Sequence, residues 1–423
     1  MVRDGQRQNV ASLVIVMALT PKARGLLTVY GSTLLAGAWA MIIPTIPMLI
    51  QHFGVSAGAA AQIITAFGVG RFVGTAVSGM VLDHMGTRTA LVGGPLIAGI
   101  AAMMAAAAPW LSVILGSALL MGAGDSLWSS AREIAAIDLA RKQQRGRVIS
   151  SIHGTHNIGL AVCPLLGGFL TELFNFRAAF VAYAVCAAFA VALGFYTPDW
   201  PLPQTGSKSA DLPRGWGIRS MGQRLRAIRG LFLHIHPHLR ATYLVLVLGT
   251  LASQSQRILV QSMLPLYAGS HLGFTPTEVG LLFTISGVVV FAMILPTGYI
   301  MDKLGRKWTT VPSSGIPALA FLIIPFTNSF AQLAILVALT GLSNGLSLGS
   351  MATSTYDVVP PNVRGRLQAV RRTVAEVGGI CAPLLGGYLA DRFYPGVPFL
   401  VYAPFLVLSA LLLAVVARET LER

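Results

Sequence analysis

Gly298-Tyr-Ile-Met-Asp302-Lys303-Leu-Gly305-Arg306-Lys307 decides the fold. An apolar run, Leu281 to Ile300, ends inside this stretch, and another, Trp308 to Phe326, begins directly after it. Two such runs joined by so short a turn are antiparallel helices in a bilayer. About 20 apolar residues cross the hydrocarbon core, and only a helix satisfies its own backbone there. The turn gathers a carboxylate, three cations and glycines. A weaker copy, Gly79-Met-Val-Leu-Asp83-His-Met-Gly86-Thr-Arg88, lies upstream, with Asp83 and Asp302 separated by 219 residues.

Composition points to the same class. Of 423 residues, 54% are hydrophobic and 11% charged, and the mean hydropathy is +0.70. A soluble chain of this length needs more charge to cover its surface. The net charge of +15 does not signal nucleic acid, because the basic residues sit in short loops between apolar runs. That pattern sets membrane topology. Cys163, Cys186 and Cys381 fall inside apolar runs without ligand spacing, so neither a disulfide nor a metal site is expected. There is no G-x-x-x-x-G-K-S/T loop and no soluble region for a catalytic triad. Neither ATP hydrolysis, enzyme chemistry nor a cofactor is therefore expected.

Twelve spans are expected, at 25–50, 57–82, 88–109, 111–137, 148–171, 177–197, 241–268, 276–301, 307–328, 330–357, 366–389 and 396–417. Loops on one side carry Arg88, four cations at 141–147, seven between 208 and 240, Lys303, Arg306, Lys307, Arg364 and Arg366, seventeen in all. The opposite loops carry only Arg177 and Arg392. This asymmetry predicts a multi-pass protein of the plasma (inner) membrane, with both termini and the middle loop in the cytosol. Val10 to Leu19 is too short to span and reads as an interfacial lead-in to the first helix. In the middle loop, Met221, Leu225, Ile228 and Leu231 share one helical face among Arg224, Arg226 and Arg229. Such a helix suits an anionic leaflet, and a solvated linker is the other reading.

The two halves are copies. A shift of 219 aligns Gly122 with Gly341, Asp138 with Asp357, Arg145-Gly146-Arg147 with Arg364-Gly365-Arg366, and Gly159 with Gly378. It also aligns Pro164-Leu-Leu-Gly167-Gly168 with Pro383-Leu-Leu-Gly386-Gly387. Parallel repeats of this kind build secondary transporters. The expected fold is an all-α membrane protein of 12 transmembrane helices in two pseudo-symmetric six-helix bundles. The bundles are 1–197 and 241–423, joined by a cytosolic linker at 198–240.

On these residues the chain resembles the major facilitator superfamily along nearly its whole length. The family's loop signature, G-x-L-a-D-r-x-G-r-k, is nearly complete at Gly298–Lys307 and partial at Gly79–Arg88. Pro44-Thr-Ile-Pro47 is similar to the end of the first helix in the 12-helix drug:proton antiporter branch. Gly159-x-x-x-Cys163-Pro164-x-x-Gly167-Gly168 is similar to that branch's fifth-helix signature, with Cys163 where glycine is usual. Its plain reading is close helix packing with a bend. Two features depart from the pattern: Ala118 stands where the fourth-helix motif has arginine, and the first span holds no acid. The resemblance implies that Gly79, Asp83, Gly86 and Arg88, with Gly298, Asp302, Gly305, Arg306 and Lys307, form gating latches. A topological stop signal is the plainer alternative.

Charge inside a span is costly and therefore informative. Residues that differ between the halves are candidates for function. Arg71 faces Val290 in the repeat, Asp125 faces Asn344, Arg132 faces Met351 and Glu133 faces Ala352. Asp125, Ser129 and Arg132 or Glu133 form a stripe on the fourth span. Asp125 either couples protons or forms a static pair with Arg71. His153 and His156 either relay protons or are buried and satisfied. Arg372 and Glu376 are one turn apart and could pair, while Arg371 points elsewhere, into the cavity or away from it. Gln254, Arg257 and Gln261 share a face that offers either a substrate site or an interhelical clamp. The proton-coupling candidates are Asp125, Glu133, Glu376, His153 and His156. The cavity candidates are Arg71, Arg132, Gln254, Arg257, Gln261, Asn344, Arg371 and Arg372.

The functional expectation is a monomeric secondary transporter with a small-molecule substrate and a proton or other coupling ion. The leading reading is proton-coupled export of amphipathic, drug-like organic compounds. An uptake symporter, a lipid or organic-anion transporter, and a non-transporting receptor are the alternatives.

Overall fold

The structure is a computed structural model, and it describes residues 21–140, 145–197, 230, 232–360 and 363–419. The expectations for Val10–Leu19 and for Met221, Leu225, Ile228 and Leu231 lie outside those residues. The described chain is helical throughout: α1 Pro21–Ala36, α2 Ile46–Phe53, α3 Ala57–Ala106, α4 Leu111–Leu139, α5 Arg145–Leu173 and α6 Phe176–Phe195. After them come α7 Arg240–Pro265, α8 Pro276–Lys303, α9 Lys307–Thr310, α10 Pro312–Ile323, α11 Phe330–Ser347, α12 Ser350–Val358, α13 Arg364–Arg392 and α14 Val397–Val415. Ten helical stretches among the described residues are long and apolar enough to cross a membrane. Their outer faces carry large apolar side chains, with Leu295 84% and Val415 80% exposed, as contact with lipid requires.

Helix ends follow local chemistry. Gly54 and Gly273, both at positive φ (62° and 73°), turn the chain just before α3 and α8. The Ser56 hydroxyl then accepts the Ala59 N–H at the start of α3. Thr275 does the same for α8, in a capping box with Glu278 and with Pro276 at the first position. The first span is interrupted: a 3-10 segment, Gly37–Thr45, containing Pro44, separates α1 from α2. Proline cannot donate to the preceding turn, so the helix tightens and bends there.

Helix α3 contains two passes. Fifty residues at about 1.5 Å each would reach about 75 Å, far beyond a core of about 30 Å. Gly86 breaks it, with φ 82° and ψ 168°. Gly70 and Gly74 meet Leu119 and Ala123 of α4 in ascending order, whereas Gly94 and Ala98 meet Trp128 and Gly124 in descending order. The pieces before and after Gly86 therefore run antiparallel, as expected for 57–82 and 88–109.

Helix boundaries recur at the 219-residue offset: α5 with α13, and Leu111–Leu139 with Phe330–Val358. One difference stands out. Gly349, at φ 77°, separates α11 from α12, while the equivalent Ser130 sits inside unbroken α4. Contacts between the early and late helices run chiefly through α5 on α8 and α3 on α13. Gly159 and Gly167 of α5 press on Gly37 and Met41 of the first span, while Gly168 presses on Pro276 of α8. Their counterparts Gly378 and Gly386 press on α7, and Gly387 on Gly58 of α3. Cys163 is buried within this packing.

Candidate functional site

At the end where α3 and α8 begin, two carboxylates close the seam. Asp391, at the end of α13, accepts the Gly58 N–H (2.7 Å) and the Ser56 hydroxyl (2.7 Å) at the start of α3. Glu172, at the end of α5, accepts the Thr277 N–H (3.3 Å) at the start of α8. Glu172 and Asp391 are 219 residues apart, and so are Gly58 and Thr277. Each early or late group of helices thus caps a helix N-terminus of the other, where unpaired N–H groups and the helix dipole favour an anion. Glu172 lies one residue beyond the expected fifth span. Hydrogen bonding from Thr277 holds its carboxyl below the usual range. The backbones meet so closely here that a methyl group on Gly58, Gly168 or Gly280 would collide with Asp391, Pro276 or Pro164.

The opposite end is open. A methyl group on Gly79, Gly154 or Gly298 would meet nothing within 4 Å. Asp83 is exposed. The Arg306 guanidinium donates from Nη1 to Asp302 (3.2 Å) and from Nε to Asp357 (3.2 Å). Glu419 accepts the N–H groups of Arg306 (2.8 Å) and Lys307 (3.1 Å) at the start of α9. Gly305 makes the turn at φ 124°. Lys307 donates to the Ala414 carbonyl (2.8 Å), and Arg88 donates to the Phe195 carbonyl (3.2 Å), at equivalent positions of the repeat. Both cations therefore cap the C-terminal end of a neighbouring helix.

Between the two ends lie the intramembrane polar groups. Arg71 Nε stands 3.4 Å from Asp125 Oδ2, with the acid buried and the arginine side chain 40% exposed. The second Asp125 oxygen is buried without a partner. Arg132 is buried; it donates to the Ser32 carbonyl (3.3 Å) and lies over the Trp128 ring, whose N–H bonds the Ser32 hydroxyl. The Nδ1 of His156 is buried without a partner. Glu133 and His153 are exposed.

On the late helices, Arg257 Nε donates to Asn344 Oδ1 (3.1 Å) and its Nη2 to Ser347 Oγ. Arg257, Gln261 and Asn344 line a cavity of about 150 Å³ together with Asn157 of α5. Gln254 instead lies against Gly379 of α13. Arg371 is buried and tied to Gln368 (2.9 Å) and Thr250 (2.9 Å), a clamp within the late helices. The expectation that Arg371 belongs to the cavity is thereby corrected: its donors are taken by its own helix and by α7. Arg372 is exposed and Glu376 half-buried, and they are not among the ion pairs of the described residues. Each side chain finds a different environment although one helical turn separates them.

Sequence reasoning missed Glu172 and Asp391. The signal was available: acids are scarce, 15 in all, and two of them at helix ends stand in the 219-residue register.

The Major Facilitator Superfamily profile matches residues 28–235 and 246–423. The chain is 21% identical over 382 residues to Multidrug resistance protein 2 of Bacillus subtilis, covering 90% of this chain and 91% of that one. It is 26% identical over 320 residues to Multidrug resistance protein MdtH of Klebsiella pneumoniae subsp. pneumoniae, covering 74% and 73%. Among solved structures it is similar to the nucleoside transporter NupG, with a TM-score of 0.74, 14% identity and coverage of 94% and 100%. It is likewise similar to a D-xylose-proton symporter, with a TM-score of 0.71, 18% identity and coverage of 94% and 98%. Matched by the profile over most of its length and sharing this helical architecture, the chain is a membrane transporter that belongs to the Major Facilitator Superfamily.

Proposed function

We propose that this protein exports amphipathic, drug-like organic compounds by alternating access, driven by protons. In this reading twelve spans form two six-helix halves, 1–197 and 241–423, around a central path, with 198–240 as linker. The single observation that carries it is the asymmetry of the two ends. Carboxylate caps and glycine contacts shut one, and nothing meets Gly79, Gly154 or Gly298 at the other. A transporter needs one end shut while the other is open, with contacts that can trade places. Arg88, Lys303, Arg306 and Lys307 gather at this end, which supports reading it as the cytosolic side, with both termini there and the conformation inward-facing in the plasma membrane.

The multidrug resistance relatives support the substrate class and the direction. For coupling, Asp125 is the protonation site. Its buried, unpartnered oxygen can take a proton, and Arg71 can release the other oxygen when it does. His156, Glu133, His153 and Glu376 serve as the proton route on either side of it. The protein works as a monomer.

Purified protein in proteoliposomes, loaded with a fluorescent amphipathic dye and given a pH gradient, tests the reading. The wild type is expected to move dye against its gradient only when protons flow the other way. Asp125→Asn should bind dye but lose the dependence on the proton gradient. Flux indifferent to the pH gradient in the wild type would sink proton coupling, and dye moving with the protons would make the protein a symporter.

A further inference from the structure

We infer that Arg257, with Asn344 and Gln261, forms a subsite for the anionic head of an organic substrate: a carboxylate or sulfonate on an apolar body. The inference rests on the transport reading for its biological meaning but stands on the chemistry of the cavity.

A guanidinium offers five N–H donors. At Arg257 one goes to Asn344 and one to Ser347, both neutral acceptors, so three are unfilled. The ion pairs among the described residues are Arg71–Asp125, Arg306–Asp302 and Arg306–Asp357, and none reaches Arg257. A guanidinium within a membrane span without a carboxylate is costly and calls for a counter-ion. Arg371 also lacks one, but it is buried in its clamp, whereas Arg257 opens onto the cavity of about 150 Å³. The repeat gives no reason to keep a cation here, since the equivalent residue is Ala38.

The rest of the cavity fits an amphipathic anion. The Gln261 amide oxygen is buried without a partner, an acceptor waiting for an O–H or N–H beside the anionic head. Leu160, Phe283 and Val290 supply an apolar wall for the body. Leu160 belongs to α5 and Arg257 to α7, so a bound molecule touches helices from both sides of the seam. A planar fork binds a carboxylate through two parallel hydrogen bonds. An ammonium ligand would instead meet like charge.

Three isosteric probes test this on the purified, full-length protein by ligand-dependent thermal shift: 1-naphthoate, 1-naphthamide and 1-naphthylmethylammonium. Naphthoate is expected to bind about tenfold more tightly than the amide, the scale of a charge-assisted hydrogen bond, and the ammonium more weakly still. Arg257→Gln should bring naphthoate to within about twofold of the amide. Arg257→Lys, which keeps the charge and guards against a misfolded variant, should retain a reduced preference. Arg371→Gln should leave the preference intact. Equal binding of the three probes, no naphthoate binding, or a preference surviving in Arg257→Gln overturns the subsite. Binding through Arg257 without flux in proteoliposomes would instead overturn the transport reading and leave the subsite standing.

Discussion

The loops at 79–88 and 298–307 are the same device built twice, and they differ at one decisive position. Both turn on a glycine at positive φ, Gly86 and Gly305, and both end in a cation that caps a neighbouring helix, Arg88 and Lys307. The later loop has Arg306, which ties Asp302 to Asp357; the earlier loop has Thr87 there, buried and unable to bridge. Shared parts are the turn itself. The unshared part decides which acid is engaged: Asp302 is held by Arg306, and Asp83 is exposed.

The largest expected effect is at the turns. Alanine at Gly305 forces a side chain into positive φ and into Glu419, at a cost of about 1–3 kcal/mol. Gly86→Ala meets the same φ strain at a buried position, so its unfolding midpoint in detergent should fall as well. A midpoint that falls in only one of the two variants would mean the two turns are not equivalent. Next comes Arg306→Thr, which makes the later loop resemble the earlier. It should cost about 1 kcal/mol, because both ion pairs are partly exposed, and high salt should shrink the difference from wild type.

Neutralising the acids separates stability from conformation. Asp302→Asn should lower the unfolding midpoint slightly, with little change in the distance between the halves. Asp83→Asn should leave the midpoint unchanged and bias spin-label distances at the open end toward separation. Matching behaviour of the two variants would break the comparison.

The smallest effect belongs to the capped end. Because Thr277 holds the Glu172 carboxyl below its usual value, the contribution of that cap is present above the ordinary carboxylate pKa of about 4.3 and is lost as pH falls through the lowered value. The difference in unfolding midpoint between the wild type and Glu172→Gln should therefore be constant above the ordinary carboxylate range and vanish as the pH falls through the lowered value. Asp391→Asn, which disturbs two hydrogen bonds, should open the seam more than Glu172→Gln, which disturbs one.

Spans, loops and the repeat were legible because apolar length and glycine spacing are local properties that a sequence displays directly. The Arg71–Asp125 pair was legible for a related reason: charges inside a membrane are few, so a central acid has few possible partners. The reciprocal caps were not. Nothing local in Glu172 or Asp391 says that the start of α8 or α3 will arrive beside it; that depends on how helices distant in sequence meet. Arg372 and Glu376 failed in the other direction, since one turn of helix brings two residues near without obliging them to bond when other surroundings compete. The division of roles between Arg257 and Arg371 also needed the fold, because only packing determines which cation faces a cavity.

Gly349 has one more consequence. It stands between Asn344 and Ser347, which hold Arg257, and Asp357, which Arg306 holds at the open end. A single left-handed glycine therefore separates the segment that holds Arg257 from the segment that holds Asp357. The equivalent helix α4 has no break at Ser130. The two copies of this helix therefore differ in backbone continuity even though their boundaries recur at the same offset.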